Sequence, residues 1–263
     1  MLCVQISDPH VNPIGERYPK LYGGLVDTAD VLQRTVRAVN ALVPRPDVVI
    51  VTGDVAALEG MPADYEAARA ILDGLAMPYL PIPGNHDRRV GMRAAFRHLD
   101  LFGADGPLCY RRRFADVDLI GLDSLAEGAD FGSLARDQLD WAEAEIEAAG
   151  DRPVVIFLHH PPFVSGWPFA EPIRAFGGEQ LEAIVFQFPN VAGVLCGHLH
   201  RTIVRRFGGA VGFAAPAAGR QNSVELRPDF KRRWTDEGPA FVQHLLHAGE
   251  LTSFVVPLEA TEP

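Results

Sequence analysis

The stretch Pro78-Tyr79-Leu80-Pro81-Ile82-Pro83-Gly84-Asn85-His86-Asp87 decides how the chain is read. A short apolar run stops at Pro-Gly and then presents an amide, an imidazole and a carboxylate in succession. Such side chains are costly in a core without partners. A loop edge at a strand end, facing a metal or an anion, suits them. Three other places close an apolar run in the same way: Asp8-Pro9-His10, Gly53-Asp54, and the pair His159-His160 with Gly197-His198-Leu199-His200.

Working outward, residues 1–7 form an apolar run with Val4 and Ile6, read as a buried strand. In extended chain, residues two apart face the same way, so Asp8 and His10 can bind one ion together. Residues 12–24 are a Gly- and Pro-rich loop that contains Tyr22. Asp27 caps a helix expected to reach about residue 42, with Leu32, Val36, Val39 and Val43 on one face. The β-branched run Val48-Val49-Ile50-Val51 suits a strand buried on both faces. A helix over 63–75, with Pro62 in its first turn, leads into the strand 79–82. This alternation is the doubly wound pattern.

Beyond Asp87 the sequence predicts a helix over 88–99 and a hairpin of 108–114 with 117–123. Ser133 is placed to cap a helix ending at Ala149. A strand at 154–158, a helix over 177–188 and strands at 191–196, 202–207 and 210–214 follow. Residues 219–239 are polar and irregular, a long loop or lid, and strands at 241–246 and 252–256 close the chain. No repeat or linker divides it. One domain over 1–263 is expected, with 219–239 as a lid or interface loop.

The chain has 263 residues, 48% hydrophobic and 22% charged, and a formal net charge of −10. That length supports a sizeable core. The acidic balance argues against a broad face for nucleic-acid polymers or membranes. It does not exclude an anionic substrate, because bound metal inverts the local field. Three cysteines without metal-ligand spacing imply neither a disulfide framework nor a zinc finger. Cys3 and Cys196 read as core residues. No leader pattern or membrane-length apolar stretch is seen, so a cytoplasmic location is expected.

In α/β sheets the carboxyl ends of parallel strands share one edge, where ligands bind. That gathers Asp8, His10, Asp54, Asn85, His86, the His159-His160 pair, His198 and His200. The mixed N/O set fits zinc, iron, manganese or cobalt better than calcium or magnesium. It is too large for one tetrahedral ion and about right for two that share a carboxylate. Two ions form a clamp for in-line displacement at phosphorus and acidify a bridging water, giving a hydroxide nucleophile. Asp54, alone on its strand end, is the natural bridge. Asp8, His10 and His200 would hold one ion. Asn85, His198 and a histidine of the 159–160 pair would hold the other. His86 is then free to stabilise charge or protonate the leaving alkoxide.

Taken in order, Asp8-x-His10, Gly53-Asp54, Gly84-Asn85-His86-Asp87, His159-His160-Pro161 and Gly197-His198-x-His200 resemble the five blocks of the calcineurin-like metallophosphoesterase superfamily. The resemblance implies a four-layer α/β/β/α sandwich of two mixed sheets with a dinuclear centre at strand C-terminal ends. It selects His159 over His160 as ligand and makes His160 a supporting residue. It implies substrate contacts from Asn85, His86 and His198, with Asn85 and His86 catalytic. The chain is most similar to the bacterial class III cyclic nucleotide phosphodiesterases and glycerophosphodiesterases, a likeness carried also by Lys20-Leu21-Tyr22-Gly23 and His159-His160-Pro161-Pro162. That branch implies Tyr22 in the substrate pocket, a small phosphodiester as substrate and a homo-oligomer by analogy. The protein phosphatase branch has an acid three residues after the bridging aspartate. Here that residue is Ala57, which leaves His86 without an assigned orienting partner.

Phosphomonoesters and nucleotide or lipid pyrophosphates suit the same clamp, and a non-catalytic scaffold on this fold is the reading from another class. Substrate choice is expected from 12–24, 163–177 and 219–239, which carry Trp167, Phe169, Phe176, Arg220, Arg232 and Trp234.

Overall fold

The computed structural model describes residues 1–258; residues 259–263, the end of the expected domain, lie outside the described residues. Strand β1 (Leu2–Ile6), helix α1 (Thr28–Asn40), β2 (Val48–Thr52), α2 (Pro62–Leu72), β3 (Tyr79–Ile82) and α3 (Arg89–Ala95) form a first alternating run. The hairpin of β4 (Tyr110–Phe114) and β5 (Val117–Gly121) opens a second run. It continues through β6 (Gly132–Ser133), α4 (Arg136–Ala149), β7 (Val154–Phe157), β8 (Ala175–Phe176), α5 (Gly178–Gln187), β9 (Val191–Cys196), β10 (Ile203–Phe207) and β11 (Ala210–Ala214). A hairpin of β12 (Ala240–His247) and β13 (Glu250–Pro257) returns to the first run.

The strands make two large mixed sheets, β13-β12-β1-β2-β3 and β10-β11-β9-β7-β5-β4. β1, β2 and β3 are parallel in one, and β5, β7, β9 and β11 are parallel in the other. The alternation that reads locally as doubly wound is divided between two sheets, as the family resemblance implied, rather than wound into one. Side-chain alternation shows why. On β1 and β2, Val4, Ile6, Val49 and Val51 pack with Leu32, Val36 and Val39 of α1 and Ile71 and Leu72 of α2. Cys3, Val48 and Ile50 face the other way and pack with Ile156, Val194 and Leu195 of the second sheet. Both faces of each strand are apolar because one meets helices and the other meets a sheet. The result is the four-layer α/β/β/α sandwich.

Local signals held where they had a polar partner. Asp27 caps α1, accepting the Asp30 N–H at 3.0 Å. Ser133 does not cap α4. It sits in β6, paired with Phe176 of β8, and α4 begins three residues later. Gln138 Oε1 accepts the Ala135 N–H at 3.1 Å in its place. The expected helix over 88–99 is shorter, ending at Ala95 and followed by a 3-10 turn at Arg97–Leu99.

One polar residue of the inter-sheet seam sets a pH dependence. Burial pushes His244 down from 6.5 to about 3. Above pH 6.5 the ring is neutral in folded and unfolded chains alike and adds nothing. Between those two values only the unfolded chain takes the proton, so stability falls by about 1.4 kcal/mol per pH unit from this ring alone. His244→Gln should therefore flatten the fall of the urea midpoint as pH drops below about 6.5. An unchanged slope would mean that the ring protonates inside the fold.

Candidate metal centre

Every polar block lies just past the C-terminal end of a parallel strand: Asp8 and His10 after β1, Asp54 after β2, Asn85 and His86 after β3, His159 and His160 after β7, His198 and His200 after β9. The two sheets bring these ends together. The loops after β1 and β2 are laced by His10 N–H to Asp54 O at 2.9 Å and Val11 N–H to Val55 O at 2.9 Å.

The backbone is bent hard to do this. Asp8, His10, Asp54, His198 and His200 all have positive φ, at 51, 44, 49, 69 and 50°. Left-handed backbone costs a non-glycine residue of order 1–2 kcal/mol. Gly53, at φ 85°, precedes Asp54 because a Cβ there would lie 2.4 Å from His159 Nδ1.

Backbone carbonyls fix which nitrogen of each ring faces inward. Nδ1 of His10, His86, His159 and His200 lies 3.1, 2.8, 2.8 and 2.9 Å from the carbonyls of Ala57, Leu58, Thr52 and Arg220. A carbonyl only accepts, so each Nδ1 carries a hydrogen and each Nε2 is the nitrogen left to offer a lone pair when the ring is neutral. These lone pairs converge. His10 Nε2 and His200 Nε2 are 3.1 Å apart, with Asp8 Oδ1 3.3 Å from the latter. His159 Nε2 is 3.1 Å from Asn85 Oδ1 and 3.2 Å from His198 Nδ1. Acceptors this close repel unless a proton or a cation lies among them. The donor set of buried carboxylates, imidazoles and one amide thus fits borderline divalent metal.

Asp54 joins the two groups. Its Oδ1 accepts the His86 N–H at 2.9 Å, while Oδ2 lies 3.5 Å from His10 Nε2 and 3.3 Å from His159 Nε2. Burial alone would raise its pKa, but His159, His86 and His10 outweigh burial and hold Asp54 well below the usual carboxylate range. Burial likewise pushes His159 down, yet Asp54 overcomes it and leaves the ring at about 9. His10, where burial wins over Asp54, is held at about 3. Asp54 and His159 therefore form a buried ion pair at the middle of the cluster.

His160 stands behind the cluster. Its Nδ1 is 2.9 Å from Ser124 Oγ, and its ring packs 4.7 Å from that of His159 and 4.6 Å from that of His198. Sequence reasoning gave Asp87 no role. Its buried carboxylate accepts the N–H groups of Val55, Ala56 and Gly84 at 2.9–3.0 Å, clasping the β3 loop to the β2 loop. Nothing in its residue type distinguishes that use from a metal ligand.

The centre opens into a cavity of about 440 Å³ walled by Lys20, Tyr22, Phe169, Asn222, Arg232 and Trp234 among others. Tyr22 presents its ring, edge-on to Trp234 at 4.8 Å, and its hydroxyl is directed at Gly219, where a Cβ would lie 2.6 Å away. Arg232 lies over Trp234 at 4.7 Å. Three of the aromatic and basic residues carried by the expected substrate loops pack elsewhere. Trp167 is buried with Ala170 and Leu199. Phe176 packs against Phe131. The Arg220 guanidinium turns to the Thr235 carbonyl, and only its own carbonyl reaches the site, under His200.

Comparison with known proteins agrees with this architecture. The family model described as calcineurin-like phosphoesterase matches residues 1–202. The chain is 30% identical over 245 residues to a probable glycerophosphodiester phosphodiesterase of Arcobacter nitrofigilis, covering 93% of this chain and 88% of that protein. It is 32% identical over 220 residues to a 3′,5′-cyclic adenosine monophosphate phosphodiesterase of Pseudomonas aeruginosa, covering 82% and 76%. The crystal structure of a dimetal phosphatase from Danio rerio superposes with a TM-score of 0.67 at 16% identity, over 98% of this chain and 99% of that one, which is a likeness of fold.

Close packing of the loops gives a direct test. A Cβ at Gly197 would lie 1.9 Å from Ser7 Oγ and 2.7 Å from Asp8 Oδ2. Gly197→Ala is expected to lower the stability of the metal-free protein by about 1–3 kcal/mol, read by urea unfolding. An unshifted midpoint would mean that Asp8 is not held where it is described.

Proposed function

The chain belongs to the calcineurin-like phosphoesterase family, and on that premise we propose that it is a dinuclear metal-dependent phosphodiesterase. Its substrate in this reading is a small phosphodiester, either a cyclic nucleotide (3′,5′ or 2′,3′) or a glycerophosphodiester. The observation that carries the reading is Asp54 Oδ2, a single carboxylate oxygen within 3.5 Å of both converging groups. Asp8, His10 and His200 are the proposed ligands of one ion. Asn85, His159 and His198 are those of the other, with Asp54 between them. The ions are of the iron, manganese, zinc or cobalt kind. Bound there, they supply a clamp for the phosphoryl oxygens and an acidified water for in-line attack at phosphorus.

The chain's own groups do the rest. With Nδ1 committed to the Leu58 carbonyl, His86 can exchange a proton only through Nε2. It is the proposed donor to the leaving alkoxide. That carbonyl supplies the orienting partner missing at Ala57, and it fixes the ring without adding a negative charge. Asn85 and His198 border the cavity and are proposed to meet the phosphate together with His86. The Tyr22 ring is proposed as a wall for the alcohol portion. The chain acts in this reading as one domain, with 219–239 contributing Asn222, Arg232 and Trp234 to the pocket. The names of the relatives support a diester. Three free cysteines support a cytoplasmic setting, and among the described residues no helix is long and apolar enough to cross a membrane.

Two measurements test this. Metal-reconstituted protein should prefer bis-p-nitrophenyl phosphate to p-nitrophenyl phosphate. A preference for the monoester would move the assignment to phosphatase, and no turnover with any of these metals would leave a scaffold. Variants test the roles. Asp54→Ala should lose both ions and all turnover. His86→Ala should keep its metal but lose about a hundredfold or more in rate, most with poor leaving groups. Equal loss across leaving groups would remove the proton-donor role.

A further inference from the structure

Beneath the centre runs a chain of hydrogen bonds whose direction can be read from one end. Gln5 projects from β1 into the seam between the sheets. Its Nε2 lies 2.9 Å from the Cys196 carbonyl, so the nitrogen donates and the orientation of the amide is fixed. The second N–H of that nitrogen goes to Thr52 Oγ1 at 2.8 Å. Gln5 Oε1 must accept, and its partner is His244 Nε2 at 2.9 Å. Buried His244 is neutral and has one N–H, so its Nδ1 accepts from Ser253 Oγ at 2.8 Å. Thr52, having accepted from Gln5, turns its own proton to Ser7 Oγ at 2.8 Å. Ser7 turns its proton to Asp8 Oδ2 at 2.5 Å. A carboxylate accepts only, so the chain ends there. From Ser253 to Asp8 every hydrogen points the same way, an arrangement in which each bond polarises the next.

The end of the chain occupies one side of Asp8. Oδ2 receives Ser7 and the His198 N–H at 3.0 Å. Oδ1 shares that N–H at 3.1 Å and otherwise faces His200 Nε2 at 3.3 Å. Thr52 is the node. Its hydroxyl serves Asp8 through Ser7, and its carbonyl holds His159 Nδ1 at 2.8 Å.

We infer that Thr52, acting through Ser7 and backed by Gln5 and His244, is a positioning residue that engages Asp8 Oδ2 and leaves Oδ1 to ligate the ion shared with His10 and His200. The inference rests on the proposed dinuclear reading. A bland tie between the sheets would use the same bonds but would not favour one ion over the other.

Thr52→Val removes the hydroxyl at constant shape and leaves the carbonyl under His159 in place. Mn²⁺ uptake would be measured by equilibrium dialysis with metal analysis. Electron paramagnetic resonance of the loaded protein would separate a coupled pair from a single ion. The ion that Thr52→Val weakens should be the one lost in Asp8→Ala. Its affinity should fall about tenfold or more while the other ion stays. Thr52→Ser should restore the pair. Urea unfolding of the metal-free proteins reads the structural share separately. Wild-type affinity for both ions in Thr52→Val, equal weakening of both, or no rescue by Thr52→Ser would overturn the inference. Should Thr52→Val not fold, Ser7→Ala carries the same expectation and the same refutation. Wild-type protein that takes up no ion pair would sink the functional reading itself, and this inference with it.

Discussion

Two imidazole lone pairs 3.1 Å apart, with carboxylates on either side, are the constraint on which the rest of the structure depends. No arrangement of neutral side chains relieves that repulsion. It needs positive charge at the centre, and the fold works to keep the acceptors there regardless. Five of the converging residues hold left-handed backbone, and glycines 53, 84 and 197 stand where a Cβ would strike a proposed ligand. These features oppose folding locally, so the apolar seam between the two sheets must offset them. Strain of this kind persists only where surrounding packing over-determines it, and here two sheets and two helical layers do so.

The main chain does most of the orienting. Four ring Nδ1 atoms rest on carbonyls, and the Asp87 carboxylate collects N–H groups rather than metal. A carbonyl fixes the tautomer as firmly as a carboxylate does, but brings less negative charge into a site that already holds Asp8 and Asp54. For His86 the same arrangement leaves Nε2 as the ring nitrogen not committed to the main chain, beside the cavity.

The sequence announced the site more fully than its supports. Polar blocks at the ends of apolar runs are conspicuous, and Asp8, His10, Asp54, Asn85, His159, His198 and His200 all lie in the converging groups. Division into two sheets came from the family resemblance and not from periodicity, because a strand packed on helices and a sheet reads like one packed on helices twice. Ser133 failed as a cap because β6 claimed its backbone, a pairing of two-residue strands below any periodic signal. Gln5 and Thr52 passed as ordinary members of apolar runs. Their importance lies in which face they turn to the second sheet, and that is fixed by partners some fifty to two hundred positions away. Trp167 and Phe176 lie in loops expected to shape the pocket, yet both are packed against apolar neighbours, because residue type does not distinguish a wall from a core.

The two halves of the centre are unequal. One has the Asp8 carboxylate with two imidazoles, and the other has the Asn85 amide with two imidazoles, sharing Asp54 between them. The charged half also receives the directed hydrogen-bond chain and the His198 N–H. Both halves border the cavity, one through His10 and His200 and the other through Asn85 and His198, beside His86. The support thus falls where charge is buried: a carboxylate hidden from water needs donors on its oxygens, and Ser7 and the His198 N–H supply them to Asp8.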